Sequence, residues 1–331
     1  MIVLVTGGAG YIGSHAALAL LDAGRKVVVL DNLSQGYRWA VPENAIFVEG
    51  DCGDIDLVNR IIREHSITAI MHFAGSIIVP ESVMYPLDYY YNNTVNSRAL
   101  AQAAVDSGVK HFIFSSTAGV YGEPEKTPIL EDFPSKPISP YGTSKMMTEK
   151  MLQDSTVAYD LNYVALRYFN VAGADPSGRA GQTSRKATHL IKIASQAASG
   201  SRSHLDVFGD DYPTHDGTCI RDYIHVSDLA DAHVLALKYL EDGGESDVMN
   251  CGYGSGFSVY EVINAVKRVS GTDFPVKLAE RRLGDPAALI AGADRIRAKL
   301  GWSPKYDNLD VIVEHALAWE ESLKQRETTA A

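Results

Sequence analysis

Short apolar runs alternate with longer amphipathic stretches through the first half of the chain. Residues 2–5, 27–30, 46–48, 69–72, 112–115 and 163–166 are brief, rich in β-branched or aromatic side chains, and bounded by Gly, Asp or Asn. Continuous apolarity at this length fits strands buried on both faces of a parallel sheet. Between them, residues 12–23, 56–65, 86–107 and 141–160 repeat apolar positions at helical spacing. Such alternation predicts an α/β fold with a doubly wound, Rossmann-type parallel sheet. The rhythm breaks after residue 170. Residues 172–181 are rich in Gly, Pro and Asp and read as a loop into a second region, with helices near 188–198, 259–269 and 311–323. Residues 224–239 and 248–251 read as strand or helix returning to the sheet. The expected division is a first domain over 1–170 with returning segments at about 224–251, a smaller mixed α/β domain over 171–323, and a frayed tail over 324–331.

Charge and composition narrow the function. The 331 residues carry 30 Lys plus Arg against 41 Asp plus Glu, a formal charge of -11. A nucleic-acid partner requires a basic surface, so none is expected. Cys52, Cys219 and Cys251 are odd in number and lack CxxC spacing, which points to neither a disulfide framework nor a metal site. Residues 1–6 are too short and lack the basic flank of a signal peptide, and no apolar stretch reaches the ~18 residues of a membrane span. A reduced, cytoplasmic protein without a membrane partner is the expectation.

Thr6-Gly7-Gly8-Ala9-Gly10-Tyr11-Ile12-Gly13 follows the first predicted strand and opens the first predicted helix. Glycines at 7, 10 and 13 permit a tight turn, close approach of backbone to a pyrophosphate, and close packing of helix on strand. The second strand ends in Asp31, the acidic residue that takes the adenosine ribose hydroxyls and repels a 2′-phosphate; NAD is therefore expected rather than NADP. Arg38 reads as surface charge. Asp51-Cys52 follows the third strand, beside the adenine, and Phe73-Ala74-Gly75 follows the fourth, where small residues admit phosphates or ribose. Four successive strand ends each supply a contact.

Tyr141-Gly-Thr-Ser-Lys145 places a phenol and an amine one helical turn apart on one face. A free tyrosine, with a pKa of ~10, is a poor base at neutral pH. An adjacent ammonium and a positive nicotinamide ring favour the phenolate and lower that value. Upstream, Ser115-Ser-Thr117-Ala-Gly-Val-Tyr121-Gly lies beyond the fifth strand, where a hydroxyl reaches a ligand at the carboxyl ends of strands.

These motifs resemble the extended short-chain dehydrogenase/reductase family, within it the UDP-glucose (UDP-galactose) 4-epimerases. The similarity runs from Ile2 to about Leu323 and is sharpest in Leu166-Arg-Tyr-Phe-Asn170, in Asp216-Gly-Thr-Cys-Ile-Arg-Asp-Tyr-Ile-His-Val226 and in Arg281-Arg-Leu-Gly-Asp285. The resemblance implies an NAD-dependent isomerase (EC 5.1.3.2) interconverting UDP-glucose and UDP-galactose through a transient 4-keto sugar. In that cycle Tyr141 takes the 4-hydroxyl proton, C4 gives its hydride to NAD+, the ketone turns over, and the hydride returns to the opposite face. Thr117 hydrogen-bonds the same oxygen, and Lys145 holds the nicotinamide ribose. By the same resemblance Gly7, Gly10, Tyr11, Ile12, Gly13, Asp31, Asn32, Asp51, Cys52, Phe73, Ala74, Gly75, Asn92, Ser115 and Tyr168 line the cofactor. Arg221 and Arg282 hold the pyrophosphate, Asp285 the uridine ribose, Asn170 a phosphate oxygen, and Phe208 the uracil. Phe169, His189, Leu190 and Leu289 complete the sugar side; the alternative for such motif residues is structural, with Phe208 in the core and Asp222 or Tyr223 bracing the fold. Helices over 86–107 and 141–160 imply a homodimer.

Three positions depart from the commonest bacterial pattern. Ile77 replaces a lysine, His189 an asparagine and Leu289 a tyrosine. The smaller residue at 289 leaves volume beside the sugar C2, which extends the expected substrates to UDP-GlcNAc and UDP-GalNAc. A nucleotide-sugar 4,6-dehydratase is the nearest rival, but its added acid and base would stand where Ala118 and Gly119 stand. An NAD-sensing protein without catalysis is the rival of another class, opposed by the intact Thr117, Tyr141 and Lys145.

Overall fold

The computed structural model describes residues 1–183, 188–282 and 285–330, the last four without their side chains. Strands β1 (Ile2–Thr6), β2 (Lys26–Asp31), β3 (Ile46–Glu49), β4 (Ala69–His72), β5 (His111–Ser115) and β6 (Asn162–Tyr168) coincide with the six apolar runs. In the second half follow β7 (Asn170–Ala172), β8 (Leu205–Phe208), β9 (Ile220–His225), β10 (Asp247–Cys251), β11 (Gly256–Ser258), β12 (Val276–Ala279) and β13 (Ala288–Leu289). The main sheet has seven strands in the order β10-β6-β5-β4-β1-β2-β3, parallel throughout. Successive side chains of a strand face opposite sides. Accordingly Val3, Val5, Val27, Val29, Met71 and Ile113 enter one buried cluster. Leu4, Val28, Leu30, Ile70, Phe112 and Phe114 enter the other.

Helices α1 (Tyr11–Asp22), α2 (Ile55–His65), α3 (Val79–Met84), α4 (Pro86–Tyr90), α5 (Asn96–Asp106) and α6 (Pro140–Ala158) accompany the first half. Caps place their ends. The Asp54 carboxylate accepts Leu57 N–H at 3.0 Å, and the Ser139 hydroxyl accepts Gly142 N–H at 3.2 Å ahead of Pro140. The second half adds α7 (Leu190–Ala198), α8 (Val226–Glu241), α9 (Val259–Ser270), α10 (Asp294–Leu300) and α11 (Leu309–Ala330).

Four features depart from the sequence reading. The helix expected over 86–107 is split: α4 and α5 flank a π-helical stretch, Tyr91–Val95. The wider turn frees the Asn93 carbonyl for the Ser97 and Thr148 hydroxyls, at 2.6 and 3.2 Å. Residues 224–239 are strand then helix, and only β10 returns to the main sheet; β9 pairs with β7, β11 and β13 in a separate small sheet. α3 lies outside the predicted helices; Pro80 sits in its first turn, where the missing N–H breaks no helical bond. Residues 324–330 continue α11 rather than leaving it, consistent with the good helix formers Lys324, Gln325 and Arg326. Among the described residues no helix is long and apolar enough to cross a membrane, and all three cysteines are buried and unpaired.

Candidate functional site

The sheet order reverses between β1 and β4, and a ligand crevice opens at the carboxyl ends of strands at such a point. A cleft of about 590 Å³ lies there. Its first wall is the turn from β1 into α1. A Cβ added at Gly13 would stand 2.2 Å from the Gly7 carbonyl oxygen, and one at Gly7 would stand 2.6 Å from Ala74 N. Only glycine fits either place, and the crossing leaves the amino end of α1 facing the cleft. Asp31 closes the loop above it: its carboxylate accepts Ala9 N–H at 2.9 Å and Leu33 N–H at 2.8 Å. Burial nevertheless raises this carboxyl above its ordinary value, against those two bonds.

Asp51 is held by Gly53 N–H at 2.8 Å and receives the amides of Asn32 and Asn96, both at 3.1 Å. Asn92 donates to Ser76 Oγ at 2.9 Å, and Asn93 grips Ser76 through both its backbone atoms, at 2.7 and 2.9 Å. The π-helical stretch therefore shapes the floor beyond β4.

At the far end Tyr141 and Lys145 enter from the first turns of α6, Thr117 and Ser115 from the end of β5, and Tyr168, Phe169 and Asn170 from the β6–β7 join. Lys145 Nζ donates to the Ser115 carbonyl at 3.0 Å and sits 4.9 Å over the Phe114 ring. Burial pulls its pKa down to about 8, opposed by the carboxylate of Glu149. Tyr141 is buried and shares a hydrogen bond with Thr117. Burial raises its phenol above the ordinary value and outweighs that bond, whereas the lowered value expected from the sequence includes a nicotinamide ring. That expectation counted two positive charges. Lys145 alone, itself desolvated and committed to Ser115, does not offset burial. The Tyr168 hydroxyl meets Ser115 Oγ at 2.9 Å.

All fifteen residues assigned to the cofactor line this cleft; Tyr11 contributes while its hydroxyl is tied to the Gly173 carbonyl at 2.6 Å. Thr117, Tyr141, Phe169, Asn170 and His189 line it too, the His189 imidazole bonded to Gln182 and lowered in pKa by burial. Leu190, Phe208, Arg221, Arg282, Asp285 and Leu289 do not. Arg221 is engaged with Asp285 at 2.8 Å, so the two residues assigned to different parts of the nucleotide neutralise each other. The Arg282 guanidinium lies 3.8 Å over the Phe208 ring. Leu289 pairs with Arg221 across β13 and β9 and packs on the cluster containing Phe169. Leu190 opens α7 and packs on the core. Leu283 and Gly284 of the Arg281–Asp285 motif lie outside the described residues. Sequence reasoning missed Ser34, Gln35 and Gly36 beyond β2, and Ser76, Ile78 and Glu81 beyond β4. They follow the ends of β2 and β4 by three to nine residues, within the loops whose first residues the motifs name.

Residues 3–252 match the model of the NAD dependent epimerase/dehydratase family. A UDP-glucose 4-epimerase of Azospirillum brasilense is 61% identical over 98% of this chain and 93% of its own. One from Lacticaseibacillus casei is 49% identical over 97% of each. Among solved structures, a UDP-glucose 4-epimerase from Brucella ovis in complex with NAD is 45% identical with a TM-score of 0.93, covering 96% of this chain and 97% of that one. The UDP-Glc/GlcNAc 4-epimerase of Campylobacter jejuni is 49% identical with a TM-score of 0.85, covering 97% and 99%.

Proposed function

The chain belongs to the NAD-dependent epimerase/dehydratase family, and we infer that it is an isomerase interconverting UDP-glucose and UDP-galactose at C4 with NAD as cofactor. The observation that carries this reading is the continuity of one cleft from the glycine turn and Asp31 to Thr117, Tyr141 and Lys145. The residues fit the cofactor: a Cβ at Gly13 or Gly7 would fill the cradle, and Asp31 presents a fixed carboxylate where a ribose diol is needed. Bound NAD supplies a hydride acceptor and donor for the sugar C4.

The chain's own residues do the rest. Tyr141 takes the 4-hydroxyl proton as C4 is oxidised to the ketone and returns it on reduction. Thr117, bonded to Tyr141, orients the same oxygen. Lys145 offers its ammonium to a ribose hydroxyl while Ser115 holds it in place. Residues mainly of 171–323 take the UDP half, with Arg221 and Arg282 turning from Asp285 and Phe208 to the pyrophosphate, and Asp285 freed for the uridine ribose. Elimination of water would need an acid beside Thr117, and Ala118 and Gly119 offer none.

The test is incubation of the chain as purified with UDP-galactose and no added NAD. UDP-glucose should form, and failure to form it would refute the reading. The same assay with UDP-GlcNAc tests the breadth inferred from Leu289, and should yield UDP-GalNAc; no conversion restricts the enzyme to hexoses.

A homodimer fits the exposed apolar side chains. Met84, Leu87 and Tyr91 are 65%, 79% and 65% exposed, on segments that lean on α6, with Met147 exposed beside them. Patches of this kind mark interfaces. Light scattering should give twice the mass of one chain, and Leu87→Glu with Tyr91→Glu should halve it. A parental protein of single-chain mass would contradict the dimer.

A further inference from the structure

Glu149 is a buried carboxylate with no part in the chemistry above. It follows Lys145 by four residues on α6, so the two side chains are neighbours on one face. Arg167 grips it with two donors, Nε to Oε1 at 3.0 Å and Nη2 to Oε2 at 2.6 Å. The Ser116 hydroxyl donates to it as well. Removing two charges from water is costly, and such a pair is weak evidence for stability in itself. Its partners are more telling. Ser116 lies between Ser115, whose carbonyl holds Lys145, and Thr117, which bonds Tyr141. Arg167 precedes Tyr168, whose hydroxyl meets Ser115 Oγ. The Arg167 guanidinium also lies 4.8 Å over the Tyr121 ring, and Tyr121 donates to Asn250 of β10 at 2.7 Å. One ion pair thus ties α6 and β6 to the residue that follows β5.

Building on the epimerase reading, we propose that Glu149 is a positioning residue for the Tyr141–Lys145 pair. It supplies the buried counter-charge of Lys145 and, through Ser116, fixes the strand end that carries Thr117.

Other titratable groups face the pair from the loop after β3, from β4, from β6 and from the turn after β5. Lys145 faces Cys52 beyond β3 and His72 of β4; Glu149 faces Arg167 and Tyr163 of β6, and Tyr121. Burial pushes the Cys52 thiol up to about 12 and the His72 imidazole down to about 3, so both are neutral near pH 7. Glu149 is then the anion that counters the burial of Lys145. Neutralising it lets burial prevail, and the ammonium is lost at lower pH.

The experiment follows the 13Cε resonance of Lys145 against pH in lysine-labelled holoenzyme, the signal being identified by its loss in Lys145→Met. In Glu149→Gln the midpoint should fall by about one pH unit, a tenfold change in proton affinity. The alkaline limb of kcat should move down with it. Glu149→Asp keeps the charge and should leave both near the parental positions. If Glu149→Gln alone does not fold with Arg167 unpaired, Glu149→Gln with Arg167→Met removes both charges and should show a fall in the same direction, smaller because no unpaired guanidinium is left. A folded variant lacking the carboxylate but with an unmoved midpoint would overturn the proposal, even if kcat or thermal stability were lower at every pH. A parental protein without epimerase activity would instead sink the functional reading, while the resonance still reports whether Glu149 serves Lys145.

Discussion

Tyr141→Phe lowers turnover of UDP-galactose by ~10²–10⁴-fold, the usual contribution of a positioned acid–base group. The substitution removes one oxygen from a ring that is otherwise buried, and the ring's packing against the Gly119 turn is kept. Thr117 retains its bond from Gly119 N–H at 3.0 Å, and Lys145 retains Ser115. The loss should therefore fall on kcat and spare the cofactor, whose absorbance should still accompany the purified protein. This pattern separates loss of a proton acceptor from loss of the fold. The phenol's raised pKa in the protein alone sharpens the point. Burial works against the phenolate here, so the positive charge of Lys145 and of a bound nicotinamide ring both favour Tyr141 as a base. Near-parental turnover in Tyr141→Phe would remove it from the chemistry.

Gly13→Ala has the next largest effect, on binding rather than on proton transfer. The added Cβ would stand 2.2 Å from the Gly7 carbonyl oxygen and 2.9 Å from the Gly8 Cα. Both are backbone atoms of the turn and cannot swing aside as a side chain could. Either α1 lifts from the turn or the turn opens, and in both cases the amides that would meet a pyrophosphate are displaced. The variant should purify without nucleotide, measured by releasing and quantifying bound NAD, and turnover without added cofactor should be lost. Full NAD occupancy would show that the cradle tolerates a side chain and that its tightness has no bearing on the cofactor.

What the sequence disclosed follows from how local each signal is. The six strands of the first half are continuous apolar runs because both faces of a parallel sheet are covered, and their ends carry Gly7, Asp31, Asp51, Phe73, Ser115 and Tyr168 within a few residues. Tyr141 and Lys145 lie on one helical turn. In these places one short window holds both the element and its chemistry. The second half offers no such windows. β11, β12 and β13 have three, four and two residues, and their partners are remote in sequence. Arg221 and Asp285 meet across 64 residues, a contact no periodicity announces. The π-helical stretch escaped because Tyr91–Val95 keeps a helical spacing of apolar positions while its turn widens. Glu149 sits in plain view two turns after Tyr141, yet its meaning depends on Arg167, a neighbour only through the packing of α6 on β6. The spacing also shows that Lys145 is near Tyr141 but not how deeply both groups are buried.

The sharpest test uses UDP-galactose carrying deuterium at C4, given in ordinary water to the protein as purified with no cofactor supplied. Removal and return of hydrogen within one closed cleft predicts UDP-glucose that keeps its deuterium at C4, read by NMR. UDP-glucose carrying solvent hydrogen at C4, or no UDP-glucose at all, would contradict it.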